Sequence, residues 1–305
     1  MEEEIYSKEE LGEFKKVQQL AYRAVEAVRK ELFVGISEKQ AARMIDDYLL
    51  KEGISGFFHR GFAWFGDRSG FVGFNRPLHF AGMNLKLDQV LPPFFKSIPH
   101  LGLEFLPSDR KLEEGMAVIL DVAPAVEGRA ADIGYSFAFG SNPEVEKALL
   151  DLEVFRSLIL EMVHKEKHLS EIYNRVSEVI SELGYRNCHS LYPEGVLGHR
   201  IGKIPFDSIP SIDILGFPLQ TYAYLAGQMA SEFISGIGSE NPNWNEKSNY
   251  RIGKGLWSVE PHIGKDTFGV KWEELLVVTD TEAYWLEEEP PHVKLWKEHK
   301  KEVIS

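Results

Sequence analysis

Cysteine is nearly absent from this sequence: the 305 residues include one, Cys188. A single cysteine cannot form an internal disulfide, and it cannot build a thiolate metal cluster within one chain. Any metal held here must therefore be bound by carboxylates and imidazoles.

Basic residues are also in short supply. Lysine and arginine total 34 against 47 aspartates and glutamates, which gives a formal net charge of −13. Binding of nucleic acid requires a basic face for the phosphates, so we expect no nucleic-acid partner.

Long apolar runs are missing as well, since none approaches the roughly 18 residues that span a bilayer. The opening MEEEIYSKEE lacks the basic and apolar parts of a signal peptide. We expect a soluble, cytoplasmic protein without a membrane partner.

Apolar residues make up 44% of the sequence, which is enough to build a sizeable core. Three/four spacing of apolar residues predicts helices over about 8–31, 37–52, 142–164 and 169–183, whereas the glycine- and aromatic-rich stretch 54–106 predicts short strands and loops. No repeat or long linker divides the chain. We therefore predict an α+β fold and a single domain over 1–305, with an insertion or cap at about 207–250.

Two aspartates interrupt an otherwise apolar stretch, AVILDVAPAVEGRAADIGYSF at 117–137. It reads as two strands joined by a tight loop. With the loop at 125–128, Pro124 faces Arg129 and Asp121 falls opposite Asp132, with side-chain roots roughly 4.5 to 5.5 Å apart. Two ionised carboxylates at that separation repel each other unless a proton or a cation lies between them.

A second hairpin repeats this arrangement. The stretch LWSVEPHIGKDTFGVKWEELLVVT carries Glu260 and Glu273, and a turn about residues 266 and 267 sets them opposite one another. Pro261 removes a ladder donor and could mark a bulge that shifts the register.

Four inward carboxylates need counter-charge, and two divalent ions roughly 3.5 to 4 Å apart would supply it. His199, flanked by Gly198 and Gly202 in LGHRIG, is the obvious neutral fifth ligand. Oxygen ligands with one imidazole suit Mn, Fe, Co or Zn. Taken singly, each of these residues is more often an ordinary surface or salt-bridged group. Two matched pairs with few basic partners nearby in sequence favour the metal site.

At these residues the sequence resembles the M24 metallopeptidase family of methionine aminopeptidases, Xaa-Pro aminopeptidases and prolidases. The order Asp121, Asp132, His199, Glu260, Glu273 matches the order of that family's ligands. GHRIG is similar to its GHGIG, WSVEPHIG to its EPG stretch and VKWEELLVVT to its final strand, and the likeness covers residues 8 to 286. The resemblance implies the pita-bread fold, a curved antiparallel sheet flanked by helices.

The resemblance also implies a function. Asp121 would bind one metal, Asp132 and Glu273 would bridge two, and His199 with Glu260 would complete the second, with manganese preferred over Co, Fe or Zn. Glu260 would be the catalytic residue that passes protons, as base and then as acid. The expected activity is that of an aminopeptidase or Xaa-Pro dipeptidase, with a peptide or small amide as substrate.

The chain departs from the family at several positions. Phe206 stands where the family usually has a second histidine, Arg200 replaces the glycine after the ligand histidine, and Gly134 stands where the family commonly has threonine. His79 and His100 compete for the role of the histidine that lines the substrate pocket.

Two other classes of function stay open. The chain could be a binding protein that keeps the fold without turnover, which Phe206 favours and the full ligand set opposes. It could also hydrolyse a non-peptide C–N bond. The segment 207–250 would be a surface excursion, an added lid, or a dimer element that leaves room for a homodimer.

Overall fold

The computed structural model describes residues 6–76, 103–204, 212–235 and 241–304. Within these ranges helices form over the stretches predicted from the sequence, and several of them begin with side-chain caps. Ser37 and Gln40 make the capping box of the second helix, and Asn142 caps the helix that begins at Pro143. The α-helices are α1 Lys8–Glu31, α2 Glu38–Lys51, α3 Pro143–Asp151, α4 Glu153–His164, α5 Leu169–Glu182, α6 Leu219–Ser235 and α7 Pro291–Ile304.

The helix predicted over 142–164 is two helices, α3 and α4, that meet at Leu152. The carbonyl of Leu152 accepts a hydrogen bond from the indole of Trp272 at 3.1 Å. This contact ties the junction of the two helices to the strand region that carries the second carboxylate pair.

The strands are short except for two of ten residues each. They are β1 Gly56–Phe65, β2 Ala117–Val126, β3 Arg129–Ala130, β4 Ile133–Ala138, β5 Arg186–Asn187, β6 Gly198–Ile201, β7 Asp213–Ile214, β8 Phe217–Pro218, β9 Asn243–Trp244, β10 Gly255–Val259, β11 His262–Gly264, β12 Gly269–Lys271, β13 Glu274–Val278 and β14 Ala283–Trp285.

The strands pair antiparallel in four sheets. One sheet has the order β1-β2-β3 with β4 also on β2, and a second has the order β14-β13-β10-β6-β9. Two smaller sheets have the orders β12-β11-β5 and β7-β8. Sheets of neighbouring antiparallel strands beside grouped helices confirm the α+β prediction.

The first hairpin has a different register from the one predicted. Asp121 pairs with Gly134 rather than with Asp132, because the loop is shorter than expected. Glu127 and Gly128, both with positive φ (49° and 79°), form a two-residue turn, the tight type that fits the twist of paired strands. The shift is two residues, so Asp132 stays on the predicted face.

The second hairpin has the predicted register. Val259 pairs with Glu274 and His262 with Lys271, so Glu260 lies across from Glu273. Pro261 does mark an interruption, between β10 and β11, but the register is the same on both sides of it.

Much of the core lies between the helices and the two larger sheets, and a further apolar cluster contains residues of both sheets. Helices α1 and α2 cover the four-stranded sheet, and α3, α4 and α5 pack with buried tryptophans against the five-stranded one. The inner faces are thereby left to face each other around a pocket.

The prediction of one domain with an insertion stays a prediction. The described parts of the proposed insertion are β7, β8, α6 and β9. Among the described residues, no helix has both the length and the apolar character to cross a membrane.

Candidate metal centre

The five residues predicted as ligands come together in the structure. Asp121, Asp132, His199, Glu260 and Glu273 all line one pocket. Ligand atoms of Asp132, His199 and Glu273 lie within 4.8 Å of one another, and so do those of Asp121, Glu260 and Glu273. The four carboxylates are between 1% and 6% exposed. Four acidic groups are therefore buried together.

Strand interruptions place three of these carboxylates. Asp132 lies between β3 and β4, Glu260 between β10 and β11, and Glu273 between β12 and β13. The N–H of Glu260 donates to Leu197 at 2.8 Å and so continues the pairing of β10 with β6. The N–H of Glu273 donates instead to Gly134 of β4 at 3.1 Å, and this bond joins the two larger sheets at the pocket.

A lysine that the sequence analysis did not identify lies inside the cluster. The Nζ of Lys271 is 2.5 Å from Asp121, 2.7 Å from Glu260 and 2.9 Å from Glu273. Burial opposes its charge, but the carboxylates of Asp121, Glu260 and Glu273 outweigh this and hold the pKa of Lys271 well above its ordinary value. The sequence shows few basic residues near the carboxylates, and Lys271, two residues before Glu273, is one of these few.

Gly134 makes room for the lysine. A Cβ built on Gly134 would lie 2.1 Å from Cε of Lys271, which is far inside van der Waals contact. The departure from the family's threonine at this position therefore has a physical reason. The alternation of Lys271 and Glu273 along one face of the strand was the signal in the sequence.

His59 is the second residue that the sequence analysis missed. Its Nε2 is 2.9 Å from Oδ1 of Asp132 and 3.3 Å from Oδ1 of Asp121, and its side chain is 8% exposed. No periodicity in the sequence singled it out, because β1 is irregular on both sides of His59.

The electrostatics of the cluster favour additional positive charge. Burial, followed by the carboxylates of Asp132 and Glu260, raises the pKa of Glu273 well above its usual range. Burial lowers the pKa of His59, but Asp132 and Asp121 oppose this and bring it to about 9. Each shift favours bringing a positive charge or a proton into the cluster.

Aromatic and aliphatic side chains form most of the pocket wall. One wall residue, Tyr192, is oriented by His262: Nε2–H of His262 donates to the carbonyl of Ser69 at 2.7 Å, so its Nδ1 accepts from the Tyr192 hydroxyl at 3.2 Å. The apolar lining residues are Phe58, Phe62, Trp64, Phe105, Leu106, Tyr192, Pro193, Val196, Leu215, Phe217, Tyr222 and Leu225.

Three residues from the sequence analysis lie outside the described residues: His79, His100 and Phe206. The choice between the two histidines as the one that lines the pocket stays a prediction, as does the effect of Phe206.

A comparison with protein families gives a match over most of the chain. The model of metallopeptidase family M24 matches residues 12–280. The chain belongs to this family. A search of curated proteins found no match.

Solved structures of the family have the same fold at low sequence identity. X-Pro aminopeptidase from Thermotoga maritima is 18% identical with a TM-score of 0.61, and prolidase from Pyrococcus furiosus is 18% identical with a TM-score of 0.59. The chain is 93% covered in both, but it spans only 62% and 65% of those proteins. Methionine aminopeptidase from Rickettsia prowazekii is 13% identical with a TM-score of 0.56, and the match covers 92% of this chain and 98% of that protein. The predicted pita-bread fold is confirmed.

The donor set of this M24 chain fits divalent cations. It offers oxygen atoms from four carboxylates and Nε2 atoms from two histidines, which suit Mn, Fe, Co or Zn. Lys271 contacts Asp121, Glu260 and Glu273, and no contact between Lys271 and Asp132 occurs among the described residues. The carboxylate of Asp132 therefore takes its counter-charge from a group other than Lys271.

Proposed function

We propose that this chain is a metal-dependent exopeptidase that cleaves near the N-terminus of peptides, as an aminopeptidase or an Xaa-Pro peptidase. The observation that carries this proposal is the convergence of Asp121, Asp132, His199, Glu260 and Glu273 at one apolar-walled pocket. M24 membership supports the reaction class.

We further propose that the centre takes two divalent ions, with manganese as the first choice. Asp121, Asp132, His199, Glu260 and Glu273 would hold them. When bound, such ions supply a Lewis acid and a nucleophilic water at neutral pH.

Glu260 is the residue that we assign to proton transfer. Burial raises its pKa, while the ammonium of Lys271 and the ring of His199 lower it, and the balance lies above the ordinary value. A carboxyl group with a raised pKa carries a proton nearer to neutral pH and can return it to a leaving amine. Lys271, at 2.7 Å, holds this side chain in place.

The pocket wall favours an apolar substrate side chain or a proline ring. Phe62, Trp64, Phe105 and Phe217 offer aromatic surfaces for such a group.

Metal-dependent cleavage is the test. The protein would be stripped with EDTA, reloaded with Mn, Co, Fe or Zn, and assayed by mass spectrometry on Xaa-Pro dipeptides, Xaa-Pro tripeptides and matched peptides without proline. We expect cleavage that depends on the metal and releases an N-terminal residue.

A pair of variants provides the control. Asp132→Asn should abolish cleavage, whereas Glu127→Gln, at the exposed turn of the same hairpin, should leave it unchanged. Tight metal binding without cleavage of any peptide would contradict the proposal. That outcome would favour a binding protein or a hydrolase of non-peptide C–N bonds.

A further inference from the structure

Two histidines approach the same carboxylate from different sheets. His59 lies on β1 and His199 on β6. The Nε2 of His59 is 2.9 Å from Oδ1 of Asp132, and the Nε2 of His199 is 3.4 Å from Oδ2. Each oxygen of Asp132 thus faces one imidazole.

In both histidines the hydrogen bond of Nδ1 fixes which ring nitrogen carries the hydrogen. The Nδ1 of His59 lies 2.8 Å from the carbonyl oxygen of Arg60, and that of His199 lies 3.1 Å from the carbonyl oxygen of Arg200. A carbonyl only accepts hydrogen bonds, so each Nδ1 carries the hydrogen. Without metal, each Nε2 can hold a second proton against its carboxylate, and where a cation replaces that proton the Nε2 offers its lone pair to the cation. Histidines that bind metals commonly donate their other N–H to a backbone carbonyl in this way.

His59 also reaches a second carboxylate. Its Nε2 lies 3.3 Å from Oδ1 of Asp121, while Lys271 contacts the other oxygen, Oδ2. Ligand atoms of His59, Asp121 and Asp132 lie within 4.8 Å of one another, the same limit that the group containing His199 meets. The space between these three atoms is therefore of the size that one cation fills.

The ring of His59 is held in this position by aromatic neighbours. Its centroid lies 5.3 Å from that of Phe62 and 5.4 Å from that of Phe217. The side chain is 8% exposed, so it does not present Nε2 to bulk solvent. Packing thus fixes the imidazole in place for a ligand in the pocket.

We propose that His59 is a further metal ligand, so that Asp132 is flanked by two metal-binding imidazoles. The inference rests on the proposed metal-dependent function, and it adds a sixth residue to the five carried over from the family. The neutral imidazole of His59 would give a metal ion held by Asp121 a nitrogen ligand.

The test counts imidazoles at the metal without measuring activity. The protein would be loaded with Mn²⁺ or Cu²⁺ as a paramagnetic probe, and pulsed electron paramagnetic resonance would detect the nitrogen of each bound imidazole. We expect two inequivalent imidazoles in the unmodified protein and one in either His59→Gln or His199→Gln. Titration calorimetry with Mn²⁺ should show at least about tenfold weaker binding for both variants.

A matched control is His164→Gln, because His164 bonds through Nε2 to the carbonyl of Ala283 in another part of the fold. This variant should keep both imidazole signals and the affinity of the unmodified protein. Circular dichroism in EDTA would show whether each variant is folded, and the imidazole count of the unmodified protein stands even if His59→Gln does not fold.

The outcomes separate this inference from the proposed function. Binding of Mn²⁺ with a single imidazole, and unchanged affinity in folded His59→Gln, would overturn the role of His59 and leave the proposed function intact. The contact would then be a structural ion pair. No metal binding by the unmodified protein would overturn both.

Discussion

Lys271→Met removes the ammonium from the centre and keeps a side chain of similar length. The lysine side chain is wholly buried, with Nζ 2.5 Å from Asp121, 2.7 Å from Glu260 and 2.9 Å from Glu273. Removal of one partner of a buried ion pair costs about 3–5 kcal/mol, since the charge left behind has no partner. With three carboxylates left, we expect a loss near the upper end of that range in EDTA at pH 8.

The loss should depend on pH in a defined direction. Burial and the carboxylates of Asp132 and Glu260 already raise the pKa of Glu273 well above its ordinary value, and removal of the ammonium would raise it further. A group with a raised folded pKa contributes stability that is present below its unfolded pKa and is lost as the pH rises through the folded pKa. The penalty of Lys271→Met should therefore be smallest near pH 5 and grow toward pH 8.

Urea unfolding followed by circular dichroism measures this effect at both pH values, with EDTA or with Mn²⁺. Saturating Mn²⁺ should recover part of the loss, about 2.7 kcal/mol at a hundredfold excess over Kd, because it binds the folded state. The control is Lys300→Met, which removes a surface ion pair with Glu153 and should cost at most about 1 kcal/mol. Equal stability of Lys271→Met and the unmodified protein in EDTA at pH 8 would refute the reasoning.

The remaining predictions concern other parts of the packing. Gly134→Ala should destabilise the fold, because its Cβ would lie 2.1 Å from Cε of Lys271, and a double-mutant cycle with Lys271→Met should show a coupling of about 1–3 kcal/mol. The control is Gly12→Ala in α1, where nothing lies within 4 Å of the added Cβ; it should increase the free energy of unfolding by up to about 1 kcal/mol. Burial raises the pKa of Asp46 to about 6, so the unmodified protein loses stability as the pH rises from 4 through 6. Asp46→Asn should remove this loss and be up to about 3 kcal/mol more stable at pH 8 in urea unfolding. Burial also raises the pKa of the Cys188 thiol to about 12, so a thiol reagent should label it only in denaturant, and fast labelling of the native protein would contradict that placement.

The sequence was sufficient to predict the carboxylate cluster even where the register was wrong. Side chains alternate with a period of two along a strand, so the two-residue shift that pairs Asp121 with Gly134 leaves Asp132 on the predicted face. The loop length could not be predicted as well, because it depends on whether Glu127 adopts a positive φ. The sequence thus predicts the face of a strand on which a side chain lies more reliably than it predicts the strand's register.

His59 could not be placed from the sequence, because β1 is irregular where it passes the site. His59 pairs with Ala123 and Phe62 with Asp121, so three steps on β1 match two on β2. An extra residue of this kind reorients the side chains around it. Strict alternation along GFFHRGFAWF therefore does not give the direction of His59, and that direction follows only from pairing with a strand more than fifty residues away.

Lys271 and the two histidines, His59 and His199, make different contributions to the charge balance of the four buried carboxylates. In the state that binds metal, with every carboxyl group ionised and both imidazoles neutral, four carboxylates and one ammonium give a charge of −3, so one divalent ion brings the centre to −1 and two bring it to +1. Buried charge of either sign is costly, so a further carboxylate ligand would add to the cost whenever metal is lost. A neutral imidazole at His59 adds a donor atom and no charge, and the ammonium of Lys271 reduces the repulsion that the fold must withstand without metal.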